Sequence, residues 1–129
     1  MDNNFSALLL ADQTLRAEAG SIGIHIRLPW YRALPLSTVE VASLLIDGHS
    51  VSGERIRFEI NGRLWTLAQC ADRIDEWWYV LDDGILHVDL AGLTPQTAYQ
   101  VDLTLNLYPP YMPGFAWVTH SAKRLQVQK

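Results

Sequence analysis

The chain has 129 residues, a length typical of one domain, and 49% of them are hydrophobic, 10% aromatic and 19% charged. This composition excludes a disordered tail, a collagen-like repeat and a low-complexity linker. The 10 basic and 14 acidic residues give a net charge of −4, which argues against nucleic acid and anionic membranes as partners, because both attract clustered Lys and Arg.

The cysteine content and the N-terminal sequence bear on the setting in which the protein works. The single cysteine, Cys70, cannot form a disulfide within the chain, which fits a reducing, cytoplasmic compartment. No apolar run approaches the ~20 residues that a membrane helix needs, and the N-terminal sequence lacks the basic residues and long apolar run of a secretory signal. We therefore expect a cytoplasmic globular protein with a single domain over residues 1–129.

Short runs of alternating apolar and polar residues, separated by turn residues, predict β-strands along most of the chain. In chain order, strands are predicted at 21–28 and 39–46, hairpins at 55–67 and 79–90, and two long strands at 98–108 and 116–127. The strand at 39–46 is predicted to end at the turn dipeptide Asp47-Gly48, and Asn61-Gly62 and Asp83-Gly84 are predicted to form the hairpin turns. Only residues 67–77 are suited to a helical turn or two. The pattern predicts an all-β fold, a single antiparallel β-sandwich of the immunoglobulin or fibronectin III type with about eight to ten strands.

The stretch GLTPQTAYQV, residues 92–101, carries the most specific fold signal. Its spacing resembles the tyrosine corner of fibronectin type III domains, in which a buried tyrosine bonds back to nearby backbone. Tyr99 is that tyrosine, Pro95 stiffens the preceding connection, and three side chains are expected to face the core, namely Leu93, Thr97 and Val101. The alternative is an ordinary strand preceded by a turn. Both interpretations make these residues structural.

The histidines and carboxylates do not form a convincing metal or acid–base site. Of the four histidines, His25, His49 and His120 have no local partner at ligand spacing, and His87 shares only a strand face with Asp89. We expect the last pair to face solvent and to bind no metal. The acidic residues between 72 and 76 precede two tryptophans, and a solvated face followed by a buried strand is favoured over a sugar-binding platform.

Nucleophile and nucleotide motifs are also absent from the sequence. Residues 48–52, GHSVS, lack the second glycine and the strand-to-helix turn of a nucleophile elbow. No glycine-rich phosphate-binding loop is present. Cys70 has no histidine at catalytic spacing and is expected to be an inert, partly buried thiol. No catalytic residue is therefore assigned to this chain.

Two proline-rich segments carry aromatic residues where a solvated loop would carry polar ones. Prolines reduce the entropy lost on docking, and Trp, Tyr, Arg and Met anchor interfaces. We predict a partner-binding surface here; the alternative is that the loops fold back over the core of their own domain. The first segment, 27–37, contributes Arg27, Pro29, Trp30, Tyr31 and Arg32, and the second, 107–117, contributes Tyr108, Tyr111, Met112 and Phe115.

Taken together, these segments resemble the small β subunit of the C-glycoside deglycosidases. The resemblance covers nearly the whole chain, and RLPWYRALPLS, residues 27–37, is its most specific part. It continues through IRFEINGRLWTLAQ at 56–69, a strand with two tryptophans, GLTPQTAYQVDLTLNL at 92–107 and YPPYMP at 108–113. At Trp30 the family usually has tyrosine, so a contact that needs a hydroxyl is in doubt at this position.

The resemblance implies a β-sandwich subunit that pairs with a larger TIM-barrel α subunit similar to sugar isomerases and epimerases. The α subunit is expected to supply the acid–base residues and a divalent metal, commonly manganese, so the β subunit holds no cofactor. The implied substrate is a 3-oxo-C-glycoside of a flavonoid-type aglycone. Its oxo group acidifies the C2 proton, which allows the aglycone to be eliminated from C1 with cleavage of a carbon–carbon bond.

A second functional class remains open from the sequence alone. A stand-alone carbohydrate-binding β-sandwich could use tryptophans as a stacking platform for sugar rings. The candidates are Trp65, Trp77, Trp78 and Trp117. Such a module would bind sugar as a monomer, whereas a subunit requires its partner.

Overall fold

A computed structural model describes residues 9–10, 14–18, 20–90 and 96–128. These residues form eleven strands, one short helix and two 3-10 turns, so the expected all-β class is confirmed. The strands are β1 (Thr14–Glu18), β2 (Ser21–Arg27), β3 (Leu34–Pro35), β4 (Val39–Ile46), β5 (His49–Ser50), β6 (Ile56–Ile60), β7 (Arg63–Thr66), β8 (Trp77–Trp78), β9 (Asp83–Asp89), β10 (Ala98–Leu107) and β11 (Trp117–Gln128). The helix is α1 (Leu67–Ala71), and the 3-10 turns are Leu36–Thr38 and Gly53–Arg55.

Nine of these strands form one curled sheet in the order β5-β4-β10-β11-β1-β2-β9-β6-β7, and β3 and β8 pair separately. The expectation of a purely antiparallel arrangement is wrong at one place, because β1 runs parallel to β11 while it pairs antiparallel with β2. Only Leu15 of β1 is buried, and the sequence pattern predicts neither this strand nor its neighbours. Because β1 joins the two halves of the sheet, the two-sheet division of an immunoglobulin-like sandwich is not confirmed.

Two glycine-containing turns form hairpins as the sequence predicts. Asp47 and Gly48 have φ values of 52° and 82°, and Asn61 and Gly62 have values of 54° and 76°. Positive φ at both central residues is the signature of a type I′ turn, whose twist matches the flanking strands. These turns connect β4 to β5 and β6 to β7.

The third predicted turn, Asp83-Gly84, is wrong. Both residues lie inside β9, where Gly84 pairs with Ile26 of β2. A Cβ atom at Gly84 would lie 2.4 Å from the Phe58 ring, so this glycine is required by close packing between strands. The sequence does not show that packing because Phe58 is distant along the chain.

The core lies on the inner face of the curled sheet. Strand β10 alternates strictly, and its buried residues are Tyr99, Val101, Leu103, Leu105 and Leu107. Helix α1, predicted within 67–77, begins after Thr66, whose side chain and that of Gln69 form a capping box. The helix packs against β4, β6 and β7 and covers part of the inner face. No helix in the described part of the chain is long and apolar enough to cross a membrane.

Candidate functional site

The two proline-rich segments meet at one end of the sheet and form an aromatic cluster. Trp30, which follows β2, packs edge-on against Trp117 with ring centroids 5.4 Å apart and tilts against Phe115 at 6.5 Å. The Trp30 indole Nε1 donates a hydrogen bond to Tyr111 Oη at 2.7 Å. The connection between β10 and β11 is thereby held against the segment between β2 and β3.

The inner part of this cluster belongs to the chain's own core. Trp30 is only 6% exposed, Pro29 is buried, and Met112 and Phe115 are partly buried against the core. The burial of these four residues supports the alternative in which the loops fold back over the core of their own domain. Partner contact stays a prediction for the exposed residues of the same loops.

The outer part of the cluster consists of tyrosines and an arginine that face solvent. Tyr31 is 58% exposed, and Tyr111 and Tyr108 are exposed as well. The Arg32 guanidinium lies 5.2 Å from the centre of the Tyr111 ring, a cation–π contact. A hydrogen bond to Tyr111 raises the pKa of the Tyr31 hydroxyl. We call Tyr31, Arg32, Tyr108 and Tyr111 the tyrosine face.

Tyr108 is fixed in place by a small polar network. Its hydroxyl donates to Glu40 Oε1 at 2.8 Å, and Asn106 Nδ2 donates to the same oxygen at 2.9 Å. Hydrogen bonds from Asn106 and then Tyr108 lower the pKa of the Glu40 carboxyl, and the bond to Glu40 raises the pKa of Tyr108. The phenol therefore remains neutral and keeps one orientation on the tyrosine face.

Arg27, also predicted to contact a partner, is engaged within its own chain. Its Nε donates to Asp83 Oδ1 at 2.6 Å, across the β2–β9 pairing. The same carboxylate lies 3.5 Å from His25 Nδ1. Arg27 thus forms an intrachain ion pair, and its contact with a partner stays a prediction, as does that of Arg32.

Two of the other histidines each lie close to a single carboxylate. His87 Nε2 lies 2.8 Å from Glu59 Oε1, and His120 Nε2 lies 3.7 Å from Asp102 Oδ1. Within residues 9–10, 14–18, 20–90 and 96–128, no three His, Cys, Asp or Glu side chains are grouped so that they could hold a metal ion. The described side chains therefore do not fit a metal, and no reaction step is assigned to one in this chain.

Cys70 lies in the core at the end of helix α1, as an inert thiol would. It is buried, and this burial raises the pKa of the thiol to about 11. The side chain lines a cavity of about 370 Å³ beneath α1, between Phe58 and Trp78 on one side and Leu36 and Val41 on the other. A thiol with so high a pKa is almost entirely protonated at neutral pH and is a poor nucleophile.

The four tryptophans proposed for a sugar platform do not form one exposed surface. Trp78 is fully buried, and Trp117 lies inside the aromatic cluster. The Arg73 guanidinium covers the Trp65 ring at 5.0 Å. Only Trp77 is substantially exposed. A stand-alone carbohydrate-binding module therefore has little structural support.

The tyrosine-corner residues are placed only in part as expected. The Tyr99 ring is buried, and its hydroxyl accepts a hydrogen bond from the Gln96 backbone N–H at 3.0 Å. Val101 is fully buried. Thr97 is exposed, so its predicted core position is wrong; the strand begins at Ala98, and the alternation does not extend back to residue 97. Leu93 and Pro95 lie outside the described residues.

The sequence interpretation missed a group of exposed apolar side chains between α1 and β9. Ile74, Trp77, Tyr79 and Leu81 are all exposed, although the segment was expected to be a solvated acidic face followed by a buried strand. The available signal was the run WWYVL, residues 77–81, which has apolar residues at both odd and even positions. A strand at a protein surface ordinarily alternates polar and apolar residues.

Comparison with known proteins identifies similar chains. The family described as C-glycoside deglycosidase beta subunit matches residues 14–111. A 3'-dehydrocarminate deglycosidase beta subunit from Microbacterium sp is 42% identical over 107 residues, covering 82% of this chain and 79% of the relative. C-glycoside deglycosidase beta subunits from Microbacterium trichothecenolyticum and Arthrobacter globiformis are 38% and 34% identical, covering 81% and 77% of this chain and 79% and 76% of the relatives.

Proposed function

The chain belongs to the family of C-glycoside deglycosidase beta subunits, and from this membership we propose that it is the non-catalytic subunit of such an enzyme. Its partner is the larger TIM-barrel α subunit, similar to sugar isomerases and epimerases. The complex works in the cytoplasm, consistent with a single buried cysteine.

The proposed reaction is the cleavage of the carbon–carbon glycosidic bond of a 3-oxo-C-glycoside with a flavonoid-type aglycone. The oxo group acidifies the C2 proton, and removal of that proton allows the aglycone to leave C1. The α subunit supplies the acid–base residues and a divalent metal such as manganese. The proposal assigns all of this chemistry to the α subunit and a supporting, non-catalytic role to this chain.

The observation that carries the docking role is the tyrosine face. Tyr31 and Tyr111 expose aromatic surface, yet Trp30 holds Tyr111 from below and prolines flank both loops. Tyrosine and arginine are enriched at the energetic centres of interfaces. A surface that is already rigid loses little conformational entropy on binding. The tyrosine face is therefore the part of the predicted loop surface that contacts the α subunit.

Reconstitution tests the proposal directly. This chain, the α subunit from the same source and their mixture are each assayed with Mn²⁺ and a 3-oxo-C-glucoside. We expect full turnover only from the mixture, with an αβ complex on gel filtration. Turnover by the isolated chain, comparable to that of the mixture, would refute the non-catalytic assignment.

The docking surface is tested by Tyr31→Ala. Because the ring is exposed, its truncation should leave the melting temperature of the chain near that of the wild type. Association with the α subunit should weaken by ~2 kcal/mol, the size of an interface hot spot. The matched control is Leu64→Ala on β7, a side chain that is as exposed as Tyr31, and it should change neither quantity. Unchanged affinity in Tyr31→Ala would remove the tyrosine face from the interface.

A further inference from the structure

The short strand β8 and the turn that follows it present a row of exposed apolar side chains. Trp77, Tyr79 and Leu81 are exposed, while Trp78 between the first two is fully buried and Val80 is partly buried. Trp77 belongs to strand β8, and residues 79–82 form a turn in which the Asp82 N–H donates to the Tyr79 carbonyl at 3.0 Å. The three exposed side chains therefore follow one another from the strand into the turn. We call Trp77, Tyr79 and Leu81 the β8 row. Leu81 is 80% exposed, far more than a leucine that packs within its own domain.

The row is held in place by its buried neighbours. The Trp78 indole packs edge-on against Phe58 with ring centroids 5.2 Å apart, and its Nε1 donates to the Asp82 carbonyl at 2.8 Å. The Trp77 carbonyl accepts a hydrogen bond from Asn61 Nδ2 at 2.9 Å. The backbone on both sides of the row is thus fixed to the core and to the β6–β7 hairpin. Clustered apolar side chains on a rigid backbone are typical of an interaction surface.

The β8 row continues from the tyrosine face through backbone pairing. Strands β3 and β8 are antiparallel, with Leu34 opposite Trp78 and Pro35 opposite Trp77. In an antiparallel pair, the N-terminal end of one strand lies beside the C-terminal end of the other. The segment that carries Tyr31 and the segment that carries Tyr79 and Leu81 therefore leave the β3–β8 pair at the same end.

Acidic side chains border the row. Asp75 and Asp82 are exposed, and among the described residues no ion pair engages either carboxylate. An apolar centre with a charged rim is the usual composition of a protein–protein interface. The complementary surface has an apolar patch bordered by Lys or Arg.

We propose that the β8 row is a second part of the docking surface and is covered by the same α subunit that contacts the tyrosine face. This inference rests on the proposed function, because it takes the partner subunit as the occupant. The continuity of the two segments through the β3–β8 pair favours one partner over two. The partner contributes apolar side chains opposite Tyr79 and Leu81, and basic side chains opposite Asp75 and Asp82.

The test compares two leucines of similar chemistry and high exposure. Leu64 of β7 is 58% exposed and lies opposite Glu59. Arg63, the preceding residue of the strand, faces the other way, and its guanidinium lies 3.9 Å from the Glu76 carboxylate next to the row. Leu81→Asp and Leu64→Asp therefore introduce the same charge at two exposed leucines, one in the row and one on the Glu59 face of the β6–β7 hairpin.

Affinity for the α subunit, the melting temperature of the isolated chain and its oligomeric state are measured for each variant. We expect Leu81→Asp and Tyr79→Ala each to weaken binding at least about tenfold, with melting temperatures near that of the wild type. Leu64→Asp should bind within about twofold of the wild type. The isolated wild-type chain should be a monomer.

Four results would overturn the inference. Undiminished binding by Leu81→Asp and Tyr79→Ala would leave the β8 row outside the interface while the proposed function stands. If Leu64→Asp weakened binding to the α subunit equally, the added negative charge would reduce affinity irrespective of its position. A dimer of the isolated chain that Leu81→Asp dissociates would make a second copy the occupant. If the wild-type chain does not bind the α subunit at all, the proposed function fails and the inference fails with it.

Discussion

At position 30, one indole ring connects two loops that are about eighty residues apart in the sequence. The ring packs on Trp117 and Phe115, and its Nε1 donates to Tyr111. It is nearly inaccessible to solvent. Trp30 therefore stabilises the chain and orients Tyr111. It affects a partner only through that tyrosine.

The first prediction follows from this burial. Trp30→Ala should lower the free energy of unfolding by ~3–5 kcal/mol, the usual cost of truncating a buried aromatic residue. Urea denaturation followed by circular dichroism measures the change. Tyr31→Ala, at the neighbouring exposed position, is the control and should stay within about 0.5 kcal/mol of the wild type. Wild-type stability in Trp30→Ala would contradict the buried position of the ring.

Tyr99 provides the second prediction. Its hydroxyl accepts a hydrogen bond from the Gln96 N–H while the ring is buried. Tyr99→Phe should cost ~1–2 kcal/mol, about one buried hydrogen bond, with the fold retained. Thermal denaturation measures the loss, and Tyr79→Phe at an exposed position should show none. A wild-type melting curve for Tyr99→Phe would argue against a tyrosine corner.

Among the elements, β9 depends on one glycine. The Phe58 ring of β6 lies directly over Gly84, where Trp78 also approaches. Such close packing is possible only where the strand has no side chain. The curled sheet is tightest here, and the buried Trp78 that supports the β8 row depends on the same contact.

The third prediction concerns this contact. Gly84→Ala should destabilise the chain by ~1–3 kcal/mol, because the added methyl group displaces the Phe58 ring in a packed core. Gly53→Ala is the control: its Cβ would meet Leu67 at an ordinary 3.6 Å. That control should be neutral or slightly stabilising, since alanine restricts the unfolded chain. Chemical denaturation of the two variants compares them. Equal stabilities would show that Phe58 moves aside without cost.

For the whole molecule, β1 is the element that makes one sheet out of two groups of strands. It pairs with β11 on one side and with β2 on the other. The group β5-β4-β10-β11 and the group β2-β9-β6-β7 have no other shared edge in the described sheet. Leu15, the second residue of this strand, is its one buried side chain.

The fourth prediction is that β1 couples the two groups. Leu15→Ala should cost ~2–5 kcal/mol although it lies in a strand of five residues. Unfolding should remain a single transition, with tryptophan fluorescence and far-ultraviolet circular dichroism giving the same midpoint. Arg16→Ala, exposed on the same strand, should change stability by less than about 0.5 kcal/mol. Separate midpoints in the wild type would show that the two groups unfold independently.

The features predicted from the sequence are those fixed by neighbouring residues. The turn at Asn61-Gly62 and the short helix within 67–77 are determined within a few positions, and both are found. The role of Gly84 depends on Phe58, and the pairing of β1 depends on β11, so neither could be recognised locally.

The candidate site shows the same division between local and distant determinants. The two proline-rich segments were predicted as a pair of aromatic loops, and their contact is observed. The sequence could not show that Trp30 turns inward while Tyr31 turns outward, because that depends on Trp117 and Phe115. The β8 row was missed for a related reason: whether the run of apolar residues at 77–81 is buried depends on what covers it.

The ends of the sheet determine how this molecule can associate. Strand β5 has only two residues, and β7 has four and ends at Thr66, where helix α1 begins. Such short terminal strands offer few free backbone N–H and C=O groups, which disfavours the addition of a strand from another chain at these two ends. An interface built from side chains distinguishes one partner from another, whereas backbone pairing accepts almost any extended peptide. The same short terminal strands disfavour edge-to-edge aggregation at the two ends of the sheet.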